Sequence, residues 1–340
     1  MMIDDAHARP PEHMRELFKH WRKRPVADIG ADQQIIDPRD PDVNRVSAMS
    51  EFGVLGQSDV EILTTDFLDN AANDPIPGVR RETLPPRVAF EVKGVSGLWV
   101  FPSLLPPRVQ LALLDRLLHR DLSNPAHKTN INHHHHISYP RSIANPAVSS
   151  FFAAELDTVV HPKDSAIHKP ITLAQMLESK LRWMTLGGQY DWTNKIYPDG
   201  EPPPFPNDIA GLLKKLFPTV DPQAAIVNFY SPGDTLSVHR DVSEASDNSL
   251  ISISLGCDGI FLVGGEDEAD VVAILLRSGD AILMSGKSRH AWHGVPKILP
   301  DTCPPWLQNW PDRGHVELYQ HWRGWMSKKR INLNVRQMTD

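Results

Sequence analysis

The sequence is poor in cysteine, in long apolar runs and in net positive charge, and each shortage excludes a class of protein. Only Cys257 and Cys303 occur in 340 residues, which excludes a disulfide framework and a zinc cage of thiolates. No apolar run approaches the ~18 residues that a membrane-spanning helix needs, so we expect no membrane partner. The formal net charge of −7 excludes a surface built wholly for polyanions but allows a local basic patch.

The first residues, "MMIDDAHARPPEHM", are acidic and polar, unlike a secretory signal or a transit peptide. Two cysteines without a disulfide framework are typical of a reducing compartment. We therefore expect a protein of the nucleus or cytoplasm, with a mitochondrial pool as the alternative. The expected oligomeric state is a monomer.

The chain divides into two regions of different texture. Residues 1–87 are rich in Pro, Asp and Asn and show little sustained periodicity. They are interpreted as a Pro-rich N-terminal extension that is partly ordered, with one helix predicted within residues 12–24. From residue 88 onwards the sequence predicts regular elements.

Helices come first in this second region. "PPRVQLALLDRLLHRDL" predicts an amphipathic helix with Pro107 near its start and a stripe at Leu111, Leu114, Leu117 and Leu118. "PITLAQMLESKLRWM" predicts another helix, in which Thr172 and Gln175 fit a capping box. "NDIAGLLKKLFP" predicts a third.

Strands follow the helices. The runs "AAIVNFY", "SLISISLG", "IFLVGG", "VVAILLRSGDAILMSG" and "RINLNVRQM" are of β type, and residues 277–280 predict a hairpin turn. Helices followed by an antiparallel β-rich block indicate an α+β protein whose sheets form a sandwich or jelly roll.

Polar and apolar residues alternate along two of these strands, "IVNFY" (226–230) and "RINLNVR" (330–336). Period-two geometry sends the apolar residues to one face and the polar ones to the other. The polar set holds amides, a phenol and two arginines: Asn228, Tyr230, Arg330, Asn332, Asn334 and Arg336. One such strand usually marks a wetted sheet face, but two indicate a concave surface that needs an ion to neutralise it.

A metal would complete this surface. In "SVHRDV", His239 and Asp241 are two residues apart and leave the same face of a strand. A later histidine on a neighbouring strand would complete a two-histidine, one-carboxylate triad, which suits non-haem Fe(II). His290 and His293 in "SRHAWHGV" are both candidates. H-x-D alone is a weak signal, but H-x-D, a later His and R-x-N-x-x-x-R in this order is much stronger.

A second histidine-rich segment, "NHHHHIS" at 132–138, is a weaker metal signal. Adjacent histidines on a polar loop rarely converge on one ion, so no metal is assigned to this segment from the sequence.

The ordered set N-x-Y, H-x-D, His and R-x-N-x-x-x-R resembles the AlkB family of Fe(II)/2-oxoglutarate dioxygenases. "NFYSPGDTLSVHRDVSE", "ISISLGCDGIFLVGG", "SGDAILMSGKSRHAWHGV" and "MTLGGQYDW" extend the resemblance over roughly residues 180–340, and the wording is most similar to the eukaryotic AlkB homologue 1 branch. The resemblance implies a double-stranded β-helix with supporting N-terminal helices. It places the dioxygenase domain at residues 88–340, with helical support and nucleotide recognition in 88–225 and the catalytic β-helix in 226–340.

The resemblance also implies the residues that hold the metal and the co-substrate. Fe(II) would be held by His239, Asp241 and His293, since His293 directly precedes the family-like Gly-Val. For 2-oxoglutarate the implied contacts are Arg330 on the distal carboxylate, helped by Tyr230 and Asn332, and Arg336 with Asn228 nearer the keto-acid end. Arg336 could also orient the aspartate ligand.

The family chemistry consumes 2-oxoglutarate and O2, oxidises an N-methyl group on a nucleobase, and releases formaldehyde, succinate and CO2. The implied partner is DNA or RNA, including tRNA, with a flipped or unpaired methylated base, because a base inside a duplex cannot reach a buried iron. Trp192 matches the family's stacking position, Tyr197 would assist, and Ser243 would face the base.

Two features depart from the bacterial repair enzyme of this family. Ser243 stands where that enzyme has a carboxylate that contacts the damaged base, and "EDEAD" (266–270) is acidic where its segment is basic. These departures disfavour cationic methyl-adenine and methyl-cytosine lesions. They leave open a modified adenine or cytosine in tRNA and N6-methyladenine in unpaired DNA.

Two other functions fit the same residues. A protein or histone side-chain demethylase or hydroxylase would keep the iron site but would not require Trp192. A non-catalytic nucleic-acid binding module would bind no iron and would keep its function after His239→Ala.

Overall fold

The computed structural model describes residues 7–30, 32–48, 54–55, 62–68, 87–140, 149–191, 196–198, 200–265, 267, 270–312 and 317–339. Its helices include α1 Glu12–Lys23, α2 Val26–Ile29, α3 Pro107–Leu114, α4 Ile131–His134, α5 Leu173–Gln175 and α6 Asn207–Leu216. Segments of π-helix extend α3 over Asp115–Asp121 and α5 over Met176–Lys180. Short 3-10 turns lie at Thr65–Phe67, Phe151–Ala153, Gly286–His290, Glu317–Trp322 and Met326–Lys328.

The strands are, in chain order, β1 Ile35–Ile36, β2 Val46–Ala48, β3 Val54–Leu55, β4 Arg87–Val88, β5 Phe90–Val92, β6 Leu98–Phe101, β7 His135–His136, β8 Val159–Pro162, β9 Ile171–Thr172, β10 Trp183–Gly187, β11 Ala224–Tyr230, β12 Leu236–His239, β13 Leu250–Gly256, β14 Gly259–Gly264, β15 Val272–Leu276, β16 Ala281–Met284, β17 Trp292–Ile298 and β18 Arg330–Arg336. They form an eight-stranded sheet in the order β10-β11-β18-β13-β16-β6-β5-β2 and a five-stranded sheet in the order β1-β15-β14-β17-β12. We call these two the large sheet and the small sheet. A two-stranded sheet, β3-β4, and a three-stranded sheet, β7-β8-β9, lie outside them.

The jelly roll is visible in the path of the chain from β11 to β18. Apart from the step from β14 to β15, consecutive strands alternate between the large and the small sheet. The pairs that they make within each sheet are antiparallel. The predicted α+β fold with a double-stranded β-helix core is therefore confirmed.

The predicted hairpin at residues 277–280 is wrong. These residues do form a turn, closed by Asp280 N donating to the Arg277 carbonyl at 3.1 Å and by Arg277 N donating to Asp280 Oδ2 at 2.7 Å. The turn leads from β15 in the small sheet to β16 in the large sheet, so the two strands do not pair. Turn chemistry predicts a change of direction, but it does not say which strand the chain pairs with afterwards.

The large sheet packs its outer face on the helices. The leucine stripe predicted for α3 and its extension is buried there, together with apolar side chains from α5 and α6. The predicted capping box is present at α5, where Thr172 Oγ1 accepts from Gln175 N at 3.1 Å and Gln175 Oε1 accepts from Thr172 N at 3.0 Å. Because this face is apolar, the polar set on β11 and β18 points to the space between the sheets.

The small sheet is covered by the N-terminal segment. The helix predicted within residues 12–24 is confirmed as α1, and it buries Met14 and Trp21 against apolar side chains of β14, β15 and β17. The strand β1 joins the small sheet parallel to β15, and β2 joins the edge of the large sheet. The division of the chain at residue 87 stays a prediction. Within the described extension, α1 and β1 contact the small sheet, β2 joins the large sheet, and Phe67 packs in the cluster that holds the helices.

No helix in the ranges given above has the length and apolar character that crossing a bilayer would require.

Replacing Trp21 by alanine tests whether the extension is part of the fold. Trp21 is 2% exposed, so Trp21→Ala should lower the free energy of unfolding by about 3 kcal/mol in urea denaturation. Lys19→Ala, on the exposed side of α1, should change it by less than about 0.5 kcal/mol. Equal effects of the two substitutions would contradict the packing of α1 on the small sheet.

Candidate functional site

Three predicted metal ligands converge between the two sheets. His239 ends β12 and lies directly opposite His293 on β17, with ring centroids 4.4 Å apart. Asp241 follows two residues later, with Oδ1 3.8 Å from His239 Nε2 and Oδ2 3.8 Å from His293 Nε2. The three ligand atoms lie within 4.8 Å of one another, and no other set of three His, Cys, Asp or Glu residues among those described does so. One ion can therefore be held by all three side chains.

Backbone carbonyls fix the tautomer of both imidazoles. Nδ1 of His239 donates to the Ser237 carbonyl at 2.9 Å, and Nδ1 of His293 donates to the Ala291 carbonyl at 3.0 Å. A carbonyl only accepts, so each Nδ1 carries the proton and each Nε2 keeps its lone pair for a metal. Burial and the neighbouring His239 lower the pKa of His293 to about 4, so this ligand is neutral at pH 7.

The carboxylate ligand is held by Arg336, the last residue of β18. Arg336 Nη2 donates to Asp241 Oδ2 at 2.8 Å, and Asn334 Nδ2 lies 3.4 Å from the same oxygen. Burial alone would raise the pKa of the Asp241 carboxyl, but Arg336 and the two histidines lower it well below its usual range. The structure thus brings together the arginine and the aspartate that sequence reasoning had associated.

Arg289, a buried arginine whose structural role was not predicted from the sequence, supports the segment after Asp241. Arg289 donates through Nη1 to the Asp241 carbonyl at 2.8 Å and through Nε to the Asn248 carbonyl at 2.8 Å. Its Nη2 pairs with Glu244 Oε2 at 3.1 Å, and both side chains are at most 2% exposed. The available signal was an arginine four residues before His293 and a glutamate just after the H-x-D pair.

Glu244 completes a group of four buried charges. Its Oε1 lies 3.0 Å from Arg336 Nε and accepts the Tyr197 hydroxyl at 3.3 Å. Two carboxylates, Asp241 and Glu244, are therefore balanced by two guanidinium groups, Arg289 and Arg336. Since buried charges are tolerated only when they are paired and hydrogen-bonded, this balance stabilises the loop that carries the metal ligand.

A second buried arginine lies at the other end of the polar face. Arg330 on β18 is opposite Tyr230 on β11, and it donates to the carbonyls of Cys257 (2.9 Å) and Leu276 (3.2 Å) and to Ser254 Oγ (2.7 Å). Within the described ranges, none of its hydrogen bonds goes to a carboxylate, and the buried Tyr230 hydroxyl has no partner. A buried cation beside an unpartnered donor fits the distal carboxylate of 2-oxoglutarate.

The absence of a side chain at Gly259 makes room for this arginine. A Cβ at Gly259 would lie 2.9 Å from Arg330 Nε, closer than side-chain carbons are found. Gly259 begins β14 in the opposite sheet, so the guanidinium lies directly against backbone of that sheet.

The other predicted co-substrate residues line the same face. Asn228 lies opposite Asn332 across β11 and β18, and Asn332 Nδ2 donates to Ser252 Oγ at 2.8 Å and to the Ile253 carbonyl at 3.1 Å. Arg336 Nη1 is buried without a partner in the described part of the chain, so it is available to an acidic co-substrate. The residues present therefore fit 2-oxoglutarate: Arg330 and Tyr230 would hold its distal end, and Arg336 its keto-acid end.

The predicted substrate residues have different outcomes. Trp192 lies outside the described residues. Tyr197 packs edge-on against Tyr190 with ring centroids 5.2 Å apart, and its hydroxyl is used by Glu244. Ser243 Oγ lies 3.3 Å from the Tyr190 hydroxyl. Both Tyr197 and Ser243 thus lie beside the metal ligands, and their contact with a base stays a prediction.

His290, the other candidate ligand, is not part of the triad. Its Nε2 lies 3.1 Å from Asp247 Oδ1 and its Nδ1 lies 3.3 Å from the Asp241 carbonyl oxygen. The sequence order "RHAWH" places it on the 3-10 turn before β17, one element earlier than His293.

Comparison with known proteins agrees with this geometry. A sequence model of the 2OG-Fe(II) oxygenase superfamily matches residues 97–336, and the chain belongs to this superfamily. Its relatives confirm the predicted resemblance to the AlkB family and its homologue 1 branch. The protein is thus a dioxygenase that uses Fe(II), 2-oxoglutarate and O2.

Two fungal relatives show how far the likeness extends. The chain is 42% identical over 364 residues to "N6-methyladenosine RNA demethylase ALKB1" of Pyricularia oryzae, which covers 99% of this chain and 98% of the relative. It is 37% identical over 265 residues to "tRNA demethylase abh1" of Schizosaccharomyces pombe, which covers 75% of this chain and 83% of the relative. The solved structure of OsALKBH1 matches with a TM-score of 0.45 and 20% identity over 71% of this chain and 96% of that chain.

Titration of the metal-free protein with Mn(II), a redox-stable substitute for Fe(II), distinguishes the two histidines. His293→Ala removes a ligand and should weaken Mn(II) binding in calorimetry by more than about 100-fold, beyond the usual effect of an outer-shell change. His290→Ala should leave the Mn(II) affinity within about 3-fold, because the His290 ring contacts Asp247 and the backbone carbonyl of Asp241 but not its metal-binding carboxylate. The reverse order would show that the wrong histidine has been assigned.

The role of Arg289 is tested by Arg289→Gln. Removing one partner of a buried ion pair costs about 3–5 kcal/mol, and the remaining Arg336 contact places this variant near the lower end of that range. Its Mn(II) affinity should fall about 10-fold, because the loop that carries Asp241 loses its support. Lys287→Gln removes the same charge from an exposed position of the same turn and should change neither quantity. An Arg289→Gln variant as stable as Lys287→Gln would contradict the assignment.

Proposed function

We propose that this protein is an oxidative demethylase of N-methylated nucleobases in nucleic acid, and that its preferred substrate is N6-methyladenine in RNA. The reaction would consume 2-oxoglutarate and O2 and release formaldehyde, succinate and CO2. The near full-length likeness to a relative named as an N6-methyladenosine RNA demethylase supports the substrate class. Relatives named for tRNA and for DNA N6-methyladenine make these substrates the alternatives.

The choice of base rests on one observation: among the described residues, no carboxylate beside the metal ligands is unpaired. Ser243 contacts Tyr190 through its hydroxyl, and Glu244 is buried between Arg289 and Arg336. A cationic base such as 1-methyladenine or 3-methylcytosine would find no anion here to offset the loss of its hydration. N6-methyladenine is neutral and does not need one.

The chain's own residues would divide the work. Arg330 and Tyr230 would anchor the co-substrate, and Arg336 would keep Asp241 charged and oriented. Bound iron with 2-oxoglutarate and O2 supplies the oxidising chemistry, and the protein supplies position and exclusion of water. Because His293 has only 4% of its surface exposed, we expect that a base would be flipped or unpaired when it reaches the site.

The remaining expectations complete the proposal. Trp192 and Tyr197 would stack on the base, where such contacts contribute about 1–3 kcal/mol per base. The enzyme would act as a monomer in the nucleus or cytoplasm.

Turnover on a matched panel tests this function. The reconstituted enzyme is offered RNA and DNA oligomers with N6-methyladenine, 1-methyladenine or 3-methylcytosine, and a methylated histone peptide, with formaldehyde and base composition measured by mass spectrometry. The highest kcat/KM is expected on unpaired RNA with N6-methyladenine. Turnover on the peptide alone would overturn the proposal in favour of a protein demethylase.

Substitution at Ser243 tests the charge argument. Ser243→Asp adds a carboxylate beside the metal ligands and should raise the kcat/KM ratio of 1-methyladenine over N6-methyladenine by about 10-fold, equal to about 1.4 kcal/mol. Ser243→Asn is the control, because asparagine has nearly the same size as aspartate but carries no charge. If both variants shift the ratio alike, size and not charge selects the base.

A further inference from the structure

Six histidines other than the iron ligands lie on or next to the three-stranded sheet β7-β8-β9. We call this group the histidine patch; its members are His133, His134, His135, His136, His161 and His168. We propose that His134 and His168 form a second metal site, for a late first-row divalent cation such as Zn²⁺, Ni²⁺ or Cu²⁺. The readout of this proposal is metal binding, so it does not depend on the proposed substrate.

The two rings lie as close together as the two histidines of the iron triad. The centroids of His134 and His168 are 4.3 Å apart with an interplanar angle of 32°. The corresponding values for His239 and His293 are 4.4 Å and 50°. The pair comes from residues 34 apart in sequence, so the likeness is a product of folding and not of adjacency.

Backbone hydrogen bonds hold both residues in place. His134 ends α4, and its carbonyl accepts from Lys163 N at 2.8 Å, which joins this turn to the loop after β8. That loop is closed by Asp164, whose carbonyl accepts from His168 N at 2.9 Å and whose Oδ1 accepts from Ala166 N at 2.8 Å. These bonds fix the backbone of both residues, so only side-chain rotation would be needed to aim both rings at one metal.

His135 flanks the pair with the second-shell contact that is typical of ligating histidines. Its ring centroid is 6.0 Å from that of His168, and its Nε2 donates to the Lys169 carbonyl at 3.1 Å, which leaves the Nδ1 lone pair free. The iron triad remains the one described group with three ligand atoms within 4.8 Å. The second site therefore supplies two protein ligands, with water in the other positions.

The ligand type of the patch suits a late first-row metal, because histidine is the commonest metal ligand in proteins. Neutral imidazole is a ligand for Zn²⁺, Cu²⁺ and Ni²⁺, whereas Mg²⁺ and Ca²⁺ prefer oxygen.

The histidine patch contacts the edge of the large sheet. His133 packs edge-on against Trp183 with ring centroids 5.3 Å apart. Trp183 lies opposite Asn228 across β10 and β11, so it belongs to the sheet face that carries the co-substrate residues. A metal on His134 and His168 would brace the edge of that face.

Calorimetric titration of the metal-free full-length chain with Zn(II) tests the proposal. The wild type should bind two equivalents, one at the iron triad and one at the second site. The double variant His134→Asn, His168→Asn should lose one equivalent, and His239→Ala, His293→Ala should lose the other. A matched control, His136→Asn with His161→Asn, removes two patch histidines that lie opposite each other across β7 and β8 and should keep both equivalents.

A second measurement examines the ligands directly. With Cu(II) bound to the His239→Ala, His293→Ala variant, electron paramagnetic resonance should show superhyperfine splitting from two imidazole nitrogens, lost in either His134→Asn or His168→Asn. The proposal is overturned if the wild type binds a single equivalent, if the His134/His168 variant keeps two, or if the control pair loses one as well. The last outcome would indicate loose binding by any exposed histidine.

Discussion

The ion pair between Arg336 and Asp241 is the interaction on which the site depends. Arg336 ends a strand of the large sheet and Asp241 follows a strand of the small sheet, so their contact joins the two layers at the metal ligands. Both side chains are at most 10% exposed. Because a buried charge without its partner costs several kcal/mol, the pair fixes where the two sheets meet and holds the Asp241 carboxylate beside the histidines.

The same constraint explains the surrounding charges. Arg336 also contacts Glu244, and Glu244 in turn needs Arg289. The result is a neutral, buried group that positions one metal ligand and leaves no unpaired anion beside the metal ligands in the described part of the chain, and the proposed choice of a neutral base rests on this. At the other end of the face, Arg330 has no carboxylate among its described hydrogen-bond partners, and an acidic co-substrate would supply the missing charge there.

Much of this site could be predicted from the sequence because it obeys strand periodicity. Alternation in "RINLNVR" and the two-residue spacing of His239 and Asp241 place side chains on one face without knowledge of tertiary structure. The rest depends on contacts between distant segments. Neither the sheet crossing at residues 277–280, nor Arg289 reaching Glu244, nor His168 meeting a histidine 34 positions earlier leaves a periodic signal in the chain.

The most direct test is a crystal structure of the chain grown without oxygen in the presence of Mn(II) and 2-oxoglutarate. The account predicts an anomalous peak bound by His239 Nε2, His293 Nε2 and one oxygen of Asp241, with Arg336 still donating to the other oxygen. It also predicts the distal carboxylate of 2-oxoglutarate on Arg330. A metal bound without Asp241, or an Arg336 turned away from it, would contradict the account.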